Sequence, residues 1–409
     1  MEMELDTVVV GAGAAGIGAG LALQQAARRF VILEARDRVG GRAWTESSSL
    51  GFPIDHGGQF LHSGDINPLV AVARAAGFHV PDTPEDWTAT SNAAPLLDDS
   101  GIRQLAHASE EFFGALGRID LDRPDQPVAA LLPRSRWRPL LHAVMTFVSG
   151  ATPARVSSAD LAADGNTDID LPIREGLGAL VAHLARGLPV HTATPVTEID
   201  WSRADVRVTT STGTLRCKHV LVTVPTNVLA SGAIAFTPAL PVSKQTAIAR
   251  LPLGSNEKIF APLSAPLIEG ENVNAYSSVS SEDACHLQIQ PFGRPCVMGY
   301  FGDEAAQEVV RLGDAGASDL LRGMLADVYG SASAKRVGDG IVTQWAQDPY
   351  ALGAYSYALP GERAARDMLA EPLAGRLYFA GEATYPAHYA TVHGAFMSGQ
   401  ACVATLPAP

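Results

Sequence analysis

The chain has 409 residues, 47% of them hydrophobic and 18% charged, with 43 acidic against 30 basic side chains and a formal net charge of −13. That length exceeds the roughly 250–300 residues at which single cores stop growing, so two domains are expected. The acidic balance argues against non-specific binding to nucleic acid or to an anionic membrane surface. Cys217, Cys285, Cys296 and Cys402 form no C-x-x-C pair and no metal-ligand spacing, so they read as free thiols of a reducing compartment, and no metal is expected.

The opening MEMELDTVVV is acidic and lacks the positive region of a secretion signal. The apolar stretch that follows is too short and too glycine-rich to span a membrane, so a cytoplasmic location is expected. Leu5 to Val10 is a β-branched run of the kind buried in parallel sheets. It leads into Gly11-Ala12-Gly13-Ala14-Ala15-Gly16, then an Ala/Leu/Gln-rich helical stretch, then a second buried strand, FVILEA, carrying Glu34. Glu34 lies 18 positions beyond Gly16, against about 20 in dinucleotide-binding βαβ units. Gly11 permits the tight turn, Gly13 removes a Cβ from the path of a pyrophosphate, and Gly16 lets helix and sheet approach. The helix N-terminus offers free N–H groups to phosphate. Glu34, followed by Ala35 and Arg36, suits ribose hydroxyls and repels a 2′-phosphate. Gly40-Gly41-Arg42 then gives a second close backbone approach and a guanidinium able to bridge phosphate oxygens.

Phe52 to Val70, FPIDHGGQFLHSGDINPLV, carries Gly58, Gln59 and His62. From Pro68 to Asp170, helical stretches are interrupted by proline. Arg134, Arg136 and Arg138 there read as a solvated helix face rather than a nucleic-acid site. From Val190 the apolar/polar alternation, with turns at Ser202–Ala204 and Ser211–Gly213, predicts a three-strand meander followed by a buried strand, HVLVTVP. In LPLGSNEKIFAPL, Lys258 stands just before the apolar run Ile259-Phe260-Ala261, and lysine is rarely buried without a partner. Gln344 to Gly361 follows, QWAQDPYALGAYSYALPG. The last segment, GRLYFAGEATYPAHYATVHGAFMSGQACVATL, reads as a strand, a turn and a helix starting near Thr391.

The pair VVVGAGAAG…ILEARDRVGGRAWT, with the closing FAGEAT…ATVHGA…SG, resembles the flavin-dependent amine oxidase superfamily. In wording it is most similar to polyamine oxidases and lysine-specific histone demethylases. The resemblance covers residues 5–65, 190–262 and 340–406. It implies an α/β fold: a Rossmann-like FAD-binding domain (GR2, p-hydroxybenzoate-hydroxylase-like) of residues 1–65, 171–245 and 343–409. This would be interleaved with an α+β substrate domain of residues 66–170 and 246–342. By resemblance, FAD would meet Gly11, Gly13, Ala15, Gly16, Glu34, Ala35, Arg36, Gly40, Gly41, Arg42, Gly58, Gln59, Val196, Trp345, Gly381, Glu382, Thr391 and Val392.

The resemblance also implies that Lys258 reaches through water toward flavin N5, that Tyr355 forms an aromatic wall over the flavin, and that His62 contacts substrate nitrogen or relays a proton. Asp164, Asp168 and Asp170 are candidates for a distal ammonium, while His393 reads as structural. Ala354 stands where monoamine oxidases carry a flavin-bonded cysteine, so FAD is expected to be non-covalent. Thr391 stands where they place a second aromatic wall, and Tyr389 is a candidate substitute. The implied reaction is oxidation of a polyamine or other aliphatic amine, by hydride transfer from its α-carbon to flavin N5 and hydrolysis of the imine to aldehyde and amine, with O2 as acceptor and H2O2 as product, by a monomer or homodimer. Aryl-alkyl monoamine oxidation, C–C desaturation and a non-catalytic flavoprotein stay open as alternatives.

Overall fold

The computed structural model describes residues 5–408, so the first four residues of the acidic opening lie outside it. In chain order the strands are β1 (Leu5–Val10), β2 (Phe30–Leu33), β3 (Thr45–Glu46), β4 (Ile54–Asp55), β5 (Phe60–Leu61), β6 (Leu171–Pro172), β7 (Val190–His191), β8 (Val196–Asp200), β9 (Val206–Thr210), β10 (Gly213–Val222), β11 (Ala235–Thr237), β12 (Asn256–Pro262), β13 (Val273–Tyr276), β14 (His286–Ile289), β15 (Cys296–Gly302), β16 (Ile341–Val342) and β17 (Leu377–Phe379).

The first sheet runs β11-β8-β9-β10-β1-β2-β7, and β17 pairs with β10 off this path. Its centre is parallel: β1 lies between β10 and β2, and β17 is parallel to the end of β10. Both faces are covered, which is why these strands read as unbroken apolar runs. Val9, Ile32, Leu221 and Tyr378 pack with Ile17, Leu23 and Phe396 on one face. Val8, Val10, Val31, Leu33, Val220, Val222, Leu377 and Phe379 pack with Ala247, Ile248 and Leu369 on the other. The helices Ala14–Gln25 and Val392–Ala404 touch backbone to backbone: a Cβ on Gly18 would lie 2.3 Å from the Phe396 carbonyl oxygen, and one on Gly399 2.0 Å from that of Ala15.

The meander differs from the sequence expectation. Its third strand and the buried strand are one element, β10, whose first half pairs antiparallel with β9 and whose second half pairs parallel with β1 and β17. No turn residue separates Cys217 from Val220, so nothing breaks the strand where its environment changes from half-exposed to buried. Arg134 and Arg136 also depart from expectation. They lie in the turn before the helix Arg138–Ser149 rather than on its face.

The second sheet is antiparallel, in the order β13-β14-β15-β12-β16. One face is apolar: Ile259, Ala261, Ala275, Leu287, Ile289, Val297 and Phe301 pack against Ala306, Val309, Leu321 and Leu325 of the helical stretch Asp303–Tyr329. By the period-2 alternation of strands, the opposite face carries Lys258, Tyr300, His286 and Tyr276 as one cross-strand rung. Phe260, Met298, Gln288 and Asn274 form the next rung. The short β5–β6 ladder joins the chain where it leaves the first sheet to where it returns, pairing Leu61 with Leu171. No helix among the described residues is long and apolar enough to cross a membrane.

Candidate functional site

The two glycine-rich segments close on each other at the carboxyl ends of β1 and β2. Gly11 has φ +106°, and a Cβ there would lie 2.7 Å from Thr223 Oγ1. A Cβ on Gly16 would sit 1.9 Å from the Gly11 carbonyl oxygen, so Gly16 is required by packing of the turn itself. Gly13 is different: its nearest neighbours, the Gly40 oxygen and Gly41 Cα, are 4.0 Å from where a Cβ would stand. The protein leaves that space open, as a pyrophosphate approaching the backbone requires. Gly13 forms a bridge with Gly40, and the Gly40 N–H donates to the Ala12 carbonyl at 2.8 Å. Ala15 is buried in the first turn of its helix.

Glu34 is buried and accepts from the Ala12 N–H at 2.7 Å and the Arg36 N–H at 2.9 Å. These bonds leave each carboxylate oxygen a further lone pair for a ribose hydroxyl. The Arg36 side chain is a bidentate partner of Asp348 at 2.7 and 3.3 Å, and its Nη1 also lies 3.8 Å from Glu34 Oε1. Ala35 lies between them, half-buried. The Ala193 and Thr194 N–H groups donate to the carbonyls of Arg36 and Glu34, which brings Val196 and β8 in beside the acid.

The C-terminal segment completes this site. A Cβ on Gly381 would meet no atom within 4 Å, whereas Glu382 is buried within a dense network. Its carboxylate accepts from Arg42 Nη1 at 3.0 Å, Ser356 Oγ at 2.6 Å and the Ala390 N–H at 3.1 Å. Burial pushes this carboxyl up, but Arg42, Ser356 and Arg366 together hold it below the usual carboxylate value. Arg42 also donates to the Ala354 carbonyl. Thr391 caps the helix Val392–Ala404, accepting from the Gly394 N–H at 3.0 Å. A Cβ on Gly58 would lie 2.8 Å from Val392 Cγ2, so the segment Gly57–Gln59 abuts that helix start. An open glycine turn, a ribose-type acid, an arginine–glutamate pair and a capped helix N-terminus fit the chemistry of FAD.

Lys258 is buried, and all three of its ammonium donors are engaged by protein: Asp55 O at 2.8 Å, Gly57 O at 2.8 Å and Gln59 Oε1 at 2.9 Å. The ammonium is thus held by the loop that abuts the helix start. Burial lowers its pKa to about 8 against the opposing charge of Asp55. Gln59 continues the chain, donating from Nε2 to Gln288 Oε1 at 2.7 Å. Tyr355 lies over the same sheet face, its hydroxyl donating to the Phe147 carbonyl at 2.8 Å and lying 3.0 Å from that of Tyr300. Trp345 is buried and donates from Nε1 to the His56 carbonyl at 2.8 Å.

His62 is partly exposed and pairs through Nδ1 with buried Asp170 at 2.7 Å. Burial works against its charge, but the Asp170 carboxylate outweighs it and raises the imidazole above its ordinary range. Asp168 is within electrostatic reach of both Asp164 and Asp170, but the three are placed differently. Asp170 is taken by His62, Asp168 is exposed, and Asp164 is half-buried with an unpartnered Oδ1. His393 is buried with Nε2 unpartnered. Asp170→Asn is expected to lower the His62 titration, read from imidazole NMR shifts. The stabilisation from this pair is fully present below the unfolded histidine value and is lost as pH rises through the raised folded one. An unchanged His62 titration would refute the pairing.

Sequence reasoning missed Arg366 and Asp160. The Arg366 guanidinium is 0% exposed, and Asp160 holds it at 2.9 and 2.8 Å. Nothing local marks them, since each sits in a short helix, Ser158–Ala162 and Ala365–Ala370.

A family model described as flavin containing amine oxidoreductase matches residues 14–142 and 85–406 of the chain. The chain is 29% identical to polyamine oxidase 4 of Oryza sativa subsp. japonica, over 96% of this chain and 86% of that protein. It is 27% identical to lysine-specific histone demethylase 1 homolog 2 of Arabidopsis thaliana, over 97% of this chain but 57% of that longer protein. Among solved structures, putrescine oxidase bound to putrescine superposes with a TM-score of 0.82 at 19% identity, covering 98% of both chains. Cyclohexylamine oxidase from Brevibacterium oxydans IH-35A gives 0.80 at 21% identity, also covering 98% of both. At such identities these two structures establish the shared fold.

Proposed function

The chain belongs to the flavin-containing amine oxidoreductase family and uses FAD, and from that premise we propose that it oxidises aliphatic amines, with polyamines the favoured class. FAD, bound without a covalent link, would supply the redox chemistry, as the acceptor for a hydride from the amine α-carbon and the donor of two electrons to O2, which gives H2O2. The imine product hydrolyses to an aldehyde and the shortened amine. The likeness to polyamine oxidases supports the substrate class.

In this reading the first sheet and the C-terminal helix hold the cofactor, through residues 1–65, 171–245 and 343–409. Residues 66–170 and 246–342, with the second sheet, shape the amine site of a cytoplasmic enzyme. Glu34 binds ribose, Gly13 and Gly40–Arg42 admit the pyrophosphate, and the Val392–Ala404 helix start stabilises negative charge at the pyrimidine end. Trp345 and Gln59 border the ring system. Tyr355 presents an aromatic face to a cationic amine, and His62 accepts a proton from it. The observation that carries the proposal is Lys258: a buried ammonium on a polar sheet face, on the same rung as Tyr300, whose hydroxyl meets that of Tyr355, and held by the loop that meets the cofactor helix. As pH rises through about 8 it sheds its proton. One donor is then released, and a lone pair becomes free to hold a water for imine hydrolysis.

The test is anaerobic bleaching of the flavin by spermine, spermidine, N-acetylated polyamines, putrescine and benzylamine in turn. Rapid loss of the yellow colour with a polyamine, and peroxide on readmitting air, is the expected result. Bleaching by benzylamine alone would replace the substrate class, and no bleaching while dithionite still reduces the flavin would overturn the activity.

A further inference from the structure

The Glu382 carboxylate is saturated by the protein. Oε1 accepts from Arg42 Nη1 at 3.0 Å and from the Ser356 N–H at 3.2 Å. Oε2 accepts from Ser356 Oγ at 2.6 Å and from the Ala390 N–H at 3.1 Å. Those donors fill the about four lone-pair sites that a carboxylate offers. None remains to accept from a hydroxyl of the cofactor, and a phosphate brought against the same carboxylate is repelled. Glu382 therefore acts on a cofactor through a group that it holds.

That group is Arg42. Both hydrogen bonds of the Arg42 side chain, to Glu382 and to the Ala354 carbonyl, are made by Nη1, which leaves Nε and Nη2 uncommitted. A quarter of the side chain is exposed, and it lines a cavity together with Thr223, Pro225 and Gly381. Behind Glu382 the charges alternate. Ser356 Oγ, which donates to Glu382, accepts from Arg366 Nη1 at 3.0 Å. Arg366 is 0% exposed and grips Asp160 through Nε and Nη2 at 2.9 and 2.8 Å, with the Tyr389 ring 3.7 Å from its guanidinium carbon. Asp160 is buried in the helix Ser158–Ala162, whose capping Ser157 donates its N–H to the Ala358 carbonyl at 3.0 Å. Replacing a buried ion pair by apolar residues of similar volume is often neutral or stabilising, so fold stability alone does not account for this one. A satisfied polar network in a low dielectric does rigidify what it ends on, and this one ends on Arg42.

We propose that Asp160, Arg366, Ser356 and Glu382 are a chain of positioning residues that aims the Arg42 guanidinium at the pyrophosphate of the cofactor, and that Glu382 itself does not touch FAD. This rests on the reading above that Arg42 meets the pyrophosphate. Asp160 belongs to the segment read above as shaping the amine site, so the chain ties cofactor affinity to that segment. Arg366 and Asp160 touch neither the amine nor the cofactor.

Two quantities test it, both measured well below the melting temperature of each variant. One is the rate at which the holoenzyme releases FAD after dilution, followed by free-flavin fluorescence. The other is the Ki of ADP, which carries a diphosphate and no flavin, as a competitor for FAD rebinding. Arg42→Gln is expected to raise the ADP Ki about 10-fold or more, the scale of hydrogen bonds to a charged group. Ser356→Ala removes the hydroxyl between Arg366 and Glu382 and is expected to raise the ADP Ki and speed FAD release about 5-fold. Asp160→Asn, which preserves volume, is expected to do the same, and the double variant to show less than the product of the two effects, because both cut one chain. Should Asp160→Asn not fold, Ser356→Ala decides alone. A merely structural network would lower the melting temperature and leave FAD release and ADP Ki unmoved, which overturns the proposal. Faster FAD release with an unmoved ADP Ki in Ser356→Ala overturns it too, by placing Glu382 against the flavin side of the cofactor. A wild-type ADP Ki in Arg42→Gln overturns the reading of Arg42 as the phosphate contact, and this inference with it.

Discussion

Lys258→Met is expected to retain FAD and to slow turnover by about 10²-fold or more, the range that a positioned proton-handling group contributes. Methionine keeps an unbranched side chain of similar length and removes the charge, so the three hydrogen bonds and the ammonium's contacts with the Phe260 and Tyr300 rings are lost. None of those bonds reaches the glycine cradle, which is why the flavin stays. The half-reactions are to be measured separately, reduction by amine under argon and reoxidation by O2. Wild-type rate constants in both would sink the assignment.

The pH dependence supplies a second signature. Burial depresses the lysine to about 8, so the wild-type rate inflects there and the variant's does not. Stability carries the matching sign. Between about 8 and the ordinary lysine value of 10.5 the unfolded lysine binds a proton that the folded one has lost. Wild-type stability, relative to Lys258→Met, therefore rises with pH across that window.

The second large effect is a contrast between two glycines of one motif. Gly16→Ala is expected to destabilise the apoprotein severely, because its Cβ would lie 1.9 Å from the Gly11 carbonyl oxygen, and a backbone atom cannot swing aside. Gly13→Ala is expected to leave the apoprotein's melting temperature within about 1 °C, given 4.0 Å of clearance and a φ of −75° that any residue adopts. Its flavin affinity should fall about 10²-fold, as a methyl group enters the space a pyrophosphate must use. Melting curves of the apoproteins and flavin titrations of both variants decide it. Full flavin affinity in Gly13→Ala would show that the open space is not the phosphate site.

What was legible in the chain was legible for local reasons. β1, the glycine turn, its helix and Glu34 form one contiguous unit, so spacing alone places every part of it. The C-terminal strand, turn and helix are likewise contiguous, and Glu382 and Thr391 fall where their local turn and cap require. The division of β10 between two pairing modes was not legible. Strand pairing is decided by neighbours far away in sequence, and the residues between Cys217 and Val220 suit either environment. The partners of Lys258 were hidden for a related reason. Its burial was a fair inference from the family likeness, but its acceptors come about 200 positions earlier, and backbone carbonyls carry no sequence signature.

The same distinction governs the charges. The sequence by itself determined a dinucleotide-binding core, because glycines at fixed spacing and an acid at a strand end impose their geometry locally. Only the tertiary structure decided which charges meet. Arg36 went to Asp348, Arg42 to Glu382, Arg366 to Asp160 and His62 to Asp170. Each pair is closed by the packing of segments from 100 to more than 300 residues apart, and a buried charge takes whichever partner the fold brings within reach.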